Sequence, residues 1–131
     1  MREILFTGKC PVTNLWTYGT GILNDGINTW IVNNPIGTAI KFGETHTKVI
    51  AETVGEYTGI DDKNGIKVFE HFIVKWASQY FAVEWHHTKF VLKKDLRYEM
   101  FDYVLACFDG SEFEVVGNIY DNPELLNRGA E

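Results

Sequence analysis

Few residues in this chain are of a type and spacing that could do chemistry. Its four histidines are His46, His71, His86 and His87. Adjacent strand residues project to opposite faces, so His86 and His87 are not expected to chelate one ion together. His46 and His71 stand alone, and no HxxxH, HxH or CxxC fixes them in space, so no metal ligand is expected. Cys10 and Cys107 lie far apart outside any CxxC and read as two reduced thiols. The segment Asp61-Asp62-Lys63-Asn64-Gly65 faintly resembles a calcium loop. It lacks the alternating ligands and the glutamate at position twelve, so it reads as a β-turn. Ser78 and Ser111 are the only serines, and neither sits in a Gly-x-Ser-x-Gly setting that would expose a nucleophile. No GxxxxGK[ST] or GxGxxG supplies a phosphate cradle. Carboxylates are numerous, but no pair is singled out as general acid and base. The expectation is a non-enzyme with no catalytic, cofactor-binding or metal residues.

Binding chemistry has more to work with. Lys89, Lys93, Lys94 and Arg97 form a local basic run, which beside stacking aromatics could contact nucleic acid. Against that stands the net charge, since 12 Lys and Arg face 18 Asp and Glu for a balance of −6, which opposes loose attraction to polyanions. Such a run also serves simply as a solvated face. Protein recognition needs no positive charge, because an aromatic groove or an exposed strand edge suffices. It ranks first. Of the four tryptophans, Trp76 and Trp85 are expected in the core.

The elements that position these residues come from a chain of 131 residues and 15.0 kDa, the size of one domain or of two small lobes. An apolar fraction of 45% with only 23% charged residues marks a folded chain. The absence of a long apolar run argues against a membrane span, and MREILFTGK lacks a signal-peptide core. A cytoplasmic location is therefore expected.

Twelve glycines, many beside Asn, Asp or Thr, punctuate short alternating stretches, which predicts an all-β protein. Residues 1–52 read as a β-meander, with one strand over Leu15 to Leu23 and another over Thr29 to Val32, closed by Asn33, Asn34 and Pro35. Val49 to Thr58 reads as a single strand, and Asp61 to Gly65 as a tight turn. Tyr80 to His86 alternates as a half-buried strand, and Glu112 to Tyr120 does so with Phe113, Val115 and Ile119 toward the core. Phe90 to Phe108 is ambiguous: Leu92, Leu96, Met100 and Val104 recur at helical spacing, whereas Tyr103 to Phe108 reads as a hairpin arm, and strand is favoured after Tyr98. Asn122 is expected to cap a helical turn carrying Leu125 and Leu126, with Pro123 in its first turn. Residues 53–122 would form one lobe, and 123–131 a short helical turn and frayed tail.

Four stretches together resemble the YopX family of phage- and prophage-encoded proteins. The opening MREILFTGK and the Trp16-x-Tyr18-Gly19 group are weak matches singly. Thr53 to Trp76, TVGEYTGIDDKNGIKVFEHFIVKW, and Phe113 to Leu126, FEVVGNIYDNPELL, are specific ones. Ile22 to Lys48 and His86 to Ser111 match nothing quoted for the family. The resemblance implies a β-rich fold with a small SH3-like barrel, extra N-terminal strands and a bacterial host cell, and it implies no activity. One departure stands out. Where the family usually has Glu-Gly-Asp-Ile-Val, this chain has Glu70-His71-Phe72-Ile73-Val74, so if the turn needs positive φ at the glycine, either His71 is strained or the turn differs.

Taken together, these readings lead to the expectation of a non-enzymatic accessory factor that binds a phage or host protein. The alternative is an accessory nucleic-acid binder using Lys89, Lys93, Lys94 and Arg97. Homo-oligomerisation is expected as well, as a way to cover edge strands and aromatics.

Overall fold

Short strands need partners close by, and almost every one here finds its sequence neighbour. The computed structural model describes residues 3–33, 46–97 and 100–128. The chain falls into two units, Met1–Tyr57 and Thr58–Glu131, and passes from one to the other within a single strand. Strands and short turns dominate, as an all-β chain requires, and among the described residues one single-turn helix occurs. No helix among them is long and apolar enough to cross a membrane.

In the first unit, β1 (Phe6–Lys9) pairs antiparallel with β2 (Trp16–Gly19), Phe6 opposite Gly19. Strands β3 (Gly21–Asn24), β4 (Thr29–Val32) and β5 (His46–Val49) form a second, three-stranded sheet. The expected single strand over Leu15 to Leu23 is thus two strands in different sheets. At the break the chain passes so close to β4 that a Cβ on Gly19 would lie 1.9 Å from the Val32 carbonyl oxygen. Strand β4 has its expected bounds, whereas Asn34 and Pro35 lie outside the described residues. The expected strand over Val49 to Thr58 is likewise broken, by a 3-10 turn at Ala51–Thr53, before β6 (Gly55–Asp61) begins against β1. The Thr53 hydroxyl stabilises that turn by donating to the Ile50 carbonyl and accepting from the Lys9 amide.

The second unit continues with β7 (Lys67–Phe69), β8 (Phe72–Trp76), β9 (Gln79–His86), β10 (Lys89–Lys93), β11 (Tyr103–Val104) and β12 (Glu114–Asn118). Five of these form an antiparallel sheet in the order β11-β10-β9-β8-β12. Its alternating residues Val74, Phe81, Val83 and Leu92 pack with Val68, Leu105 and Phe113 into a sealed core, against which Trp76 and Phe108 lie half-buried. Removing such side chains from water drives this unit together at about 1.5–3 kcal/mol each.

Several local expectations are corrected. Trp85 is 50% exposed instead of buried, because it stands on the core face of β9 but past the end of the core. Only Tyr103–Val104 of the expected hairpin arm is strand. Leu105–Cys107 turns as a 3-10 helix that drops Leu105 into the core. The helical alternative also fails, since Leu96 and Met100 are exposed and β10 occupies Lys89–Lys93. In β12 a bulge between Val115 and Gly117 shifts the alternation, so Asn118 is buried and Ile119 only half-buried. Helix α1 (Leu125–Arg128) carries Leu125 and Leu126 as expected. The Asn122 side chain does not cap it, however, but turns back to accept the Asn118 amide at 3.2 Å.

Candidate functional site

Along β10, Lys89 and Lys93 share a face with Val91 and stand opposite His86 and Ala82 of β9. Lys94 follows on the other face, with its ammonium 5.5 Å from the centre of the Phe81 ring. Its backbone amide donates to the Asp102 carboxylate at 2.8 Å. Arg97 is engaged by Asp95, donating through Nε at 3.0 Å and Nη2 at 2.7 Å. The guanidinium hydrogen bond leads the effects that hold the Asp95 carboxyl down at about 2, and it raises Arg97 in turn. The four basic residues therefore do not make one cationic surface. Two share a face, one lies on the opposite face, and one is matched by an adjacent acid.

Lys89 belongs instead to an aromatic group at the β9–β10 hairpin end. Its ammonium lies 5.5 Å from the Phe101 ring centre. On the other face of the hairpin Trp85 and Phe90, directly opposite in the register, meet edge to face at 4.9 Å. His86 and His87 were expected to point apart, yet their ring centres are 4.3 Å from each other. His87 leaves the strand with φ +58°, and that rotation brings its ring back beside His86. With Met100 and Phe101 the pair lines a shallow hollow of about 360 Å³. A second cleft, of about 540 Å³, lies among Tyr80, Asp95, Leu96, Arg97, Pro123 and Leu126.

Sequence reasoning passed over a third constellation. The turn from β7 to β8 places Glu70 and His71 against Glu84 in the middle of β9. His71 Nδ1 is 3.0 Å from Glu84 Oε2, and Nε2 is 3.9 Å from Glu70 Oε2. All three side chains are at least three-quarters buried, at 22%, 14% and 16% exposure for Glu70, His71 and Glu84. The His71 amide donates to the Val83 carbonyl at 2.7 Å, and its own carbonyl accepts the Ile119 amide at 2.9 Å. The Tyr120 ring meets the imidazole edge-on at 5.5 Å. His71 holds φ +79°, the left-handed angle that its replacement of the usual glycine foreshadowed. That departure was the available signal. Glu84, thirteen residues further on, carried none. Among the described residues, each of the three can offer a ligand atom within 4.8 Å of the other two.

These residues lie within the stretch 15–127 that matches the family model for YopX protein. The chain belongs to the YopX family. No curated protein matches it at a significant level. The family match spans both units and includes Ile22 to Lys48 and His86 to Ser111, which the quoted signatures left uncovered.

Proposed function

We propose that this YopX chain is a non-enzymatic protein-recognition module. It serves as an accessory factor in the cytoplasm of a bacterium carrying the phage or prophage, and docks a phage or host protein on the β9–β10 hairpin end. One observation carries this reading: on one face of the hairpin end the large apolar side chains of Phe101 and Met100, 36% and 81% exposed, line a hollow beside His86 and His87. Rigid aromatic anchors of this kind dominate protein interfaces, because they bury much area at little entropic cost. Lys89 over the Phe101 ring gives the surface a local positive charge in an acidic chain. The partner segment is accordingly an apolar stretch flanked by carboxylates. An SH3-like closure of the second unit would suit such a role. So would self-association through the exposed Ile22 and Leu23 of β3.

The same Lys89–Phe101 stack supports a second reading, in which single-stranded nucleic acid lies across the rings and the lysines. Capture from host lysate after nuclease treatment, with the bound segment mapped by cross-linking, separates the two. The protein reading expects an acidic, apolar segment on the wild type and its loss on Phe101→Ala and on Lys89→Glu, with unchanged unfolding curves. Oligonucleotide binding that is lost on Phe101→Ala and weakens steeply with salt would replace that reading with the second.

A further inference from the structure

We propose that Glu70, His71 and Glu84 form a binding site for a divalent transition-metal ion, best matched by zinc. The site is separate from the hairpin end and does not depend on the reading above. Its donor set is one imidazole nitrogen and two carboxylate oxygens. The nitrogen disfavours calcium and magnesium, which prefer all-oxygen shells, whereas zinc accepts both atom types. With a neutral imidazole the set carries a charge of −2, which a divalent ion balances inside a largely buried setting.

The spacing fits as well. Zinc holds nitrogen and oxygen ligands about 2.0–2.2 Å away, which places tetrahedral ligands about 3.3 Å from one another. The Nδ1–Oε2 distance of 3.0 Å between His71 and Glu84 is already near that, and the whole set falls within 4.8 Å. Glu70 Oε2 stands 3.9 Å from Nε2, the other ring nitrogen, so the Glu70 side chain must swing by about 1.5 Å toward the Nδ1 side to complete the set.

The support is built before any ion arrives. Glu84 stands on β9, a strand hydrogen-bonded on both sides by β8 and β10. The His71 amide is clamped to Val83, the residue just before Glu84, and the imidazole is braced by Tyr120. Three protein ligands leave a fourth position open, so the ion would carry a water or accept a donor atom from a partner molecule.

The test uses the full chain stripped with EDTA and titrated with zinc chloride in a calorimeter, with cobalt(II) absorption as a reporter of coordination. One ion per chain is expected, with a cobalt band typical of tetrahedral nitrogen and oxygen ligation. Both His71→Gly and Glu84→Gln should weaken uptake by at least about tenfold. Glycine accepts the left-handed angle without penalty, and glutamine keeps the shape of Glu84, so both variants are designed to keep the fold. Absence of uptake by the wild type, leaving only an imidazole–carboxylate contact, would overturn the proposal. Uptake unchanged in both variants would do the same, by placing the ion elsewhere.

Discussion

Two turns in the second unit hold a residue at the same backbone angle and treat it differently. Between β6 and β7, φ of +79° falls on Gly65; between β7 and β8, φ of +79° falls on His71. In the first turn every local choice agrees. The Asp62 carboxylate accepts the amides of Asn64 at 2.8 Å and Ile66 at 2.9 Å, and a Cβ on Gly65 would meet nothing within 4 Å. The second turn puts a bulky ring where glycine would rest. For an ordinary residue the left-handed region costs about 1–2 kcal/mol. Agreement at Gly65 is what a turn needs in order to form. Disagreement at His71 shows that the imidazole is held there by its contacts with Glu84, Tyr120 and the β9 backbone.

The strongest way to break the first turn is Asp62→Ala. Besides its own turn, the 5%-exposed Asp62 accepts the Val115 amide of β12 at 2.9 Å, so one side chain satisfies three N–H groups. Losing that acceptor should cost about 2–4 kcal/mol, read as a lower midpoint in urea unfolding. Acid should do the same more gradually. Burial pushes the Asp62 carboxyl upward, but the amides of Val115, Ile66 and Asn64, with Lys63 nearby, outweigh it and hold the group below its ordinary value. A depressed folded value gives stability that is complete above the unfolded pKa of about 3.9 and lost as pH falls through the lower folded one. Asp62→Asn should flatten that acid limb, and an unchanged limb would mean that other carboxylates set it.

A matched pair sharpens the comparison between the turns. Gly65→Ala forces a Cβ into the left-handed region and should destabilise by about 1 kcal/mol, since the site is open and nothing offsets the strain. His71→Gly runs the other way: relief of about 1 kcal/mol is set against a lost hydrogen bond of about the same size, so stability should change by less than about 0.5 kcal/mol. Chemical denaturation of both variants, in EDTA to keep metal out of the balance, decides it. Equal losses at the two positions would show that His71 is packed for stability alone.

The two turns also differ in how far they could be read from the sequence. The first was legible from Asp62 onward, because Asp, Asn and Gly in that order have local roles that need no distant partner, although Asp61, expected in the turn, ends β6. At the second, the strain on His71 could be anticipated from the glycine it replaces, but Glu84 could not be connected to it. That contact depends on the β8–β9 hairpin, whose turn residues Ala77 and Ser78, at φ +51° and +64°, include none of the Asn, Asp or Gly that such a turn favours. The His86–His87 expectation fails for a related reason: the strand ends at His86 as expected, but the left-handed angle of His87 removes it from the alternation that would have sent its ring to the opposite face. Trp85 was misplaced because alternation gives the face of a strand and not how far the core extends along it. The bulge in β12 escaped for want of a local marker other than Gly117. Alternating patterns and turn residues thus gave the all-β class and the bounds of β4, while the residues gathered at the three candidate sites depended on pairings many positions apart.

The smallest expected effect lies on the surface of the first turn. Lys63 Nζ is 3.3 Å from Glu114 Oε2, an ion pair linking the turn to β12 much as Asp62 does. Its two side chains are 50% and 41% exposed, however, so water and salt screen the attraction while ordering two long side chains costs entropy. The Lys63 amide donates to the Phe113 carbonyl at 3.0 Å and is untouched by a side-chain change. Lys63→Ala should therefore shift stability by less than about 0.5 kcal/mol, with little dependence on salt. A loss near that of Asp62→Ala would break the distinction drawn here. The turn would then be held to β12 by paired charges at its surface as much as by the three amides gathered on one buried carboxylate.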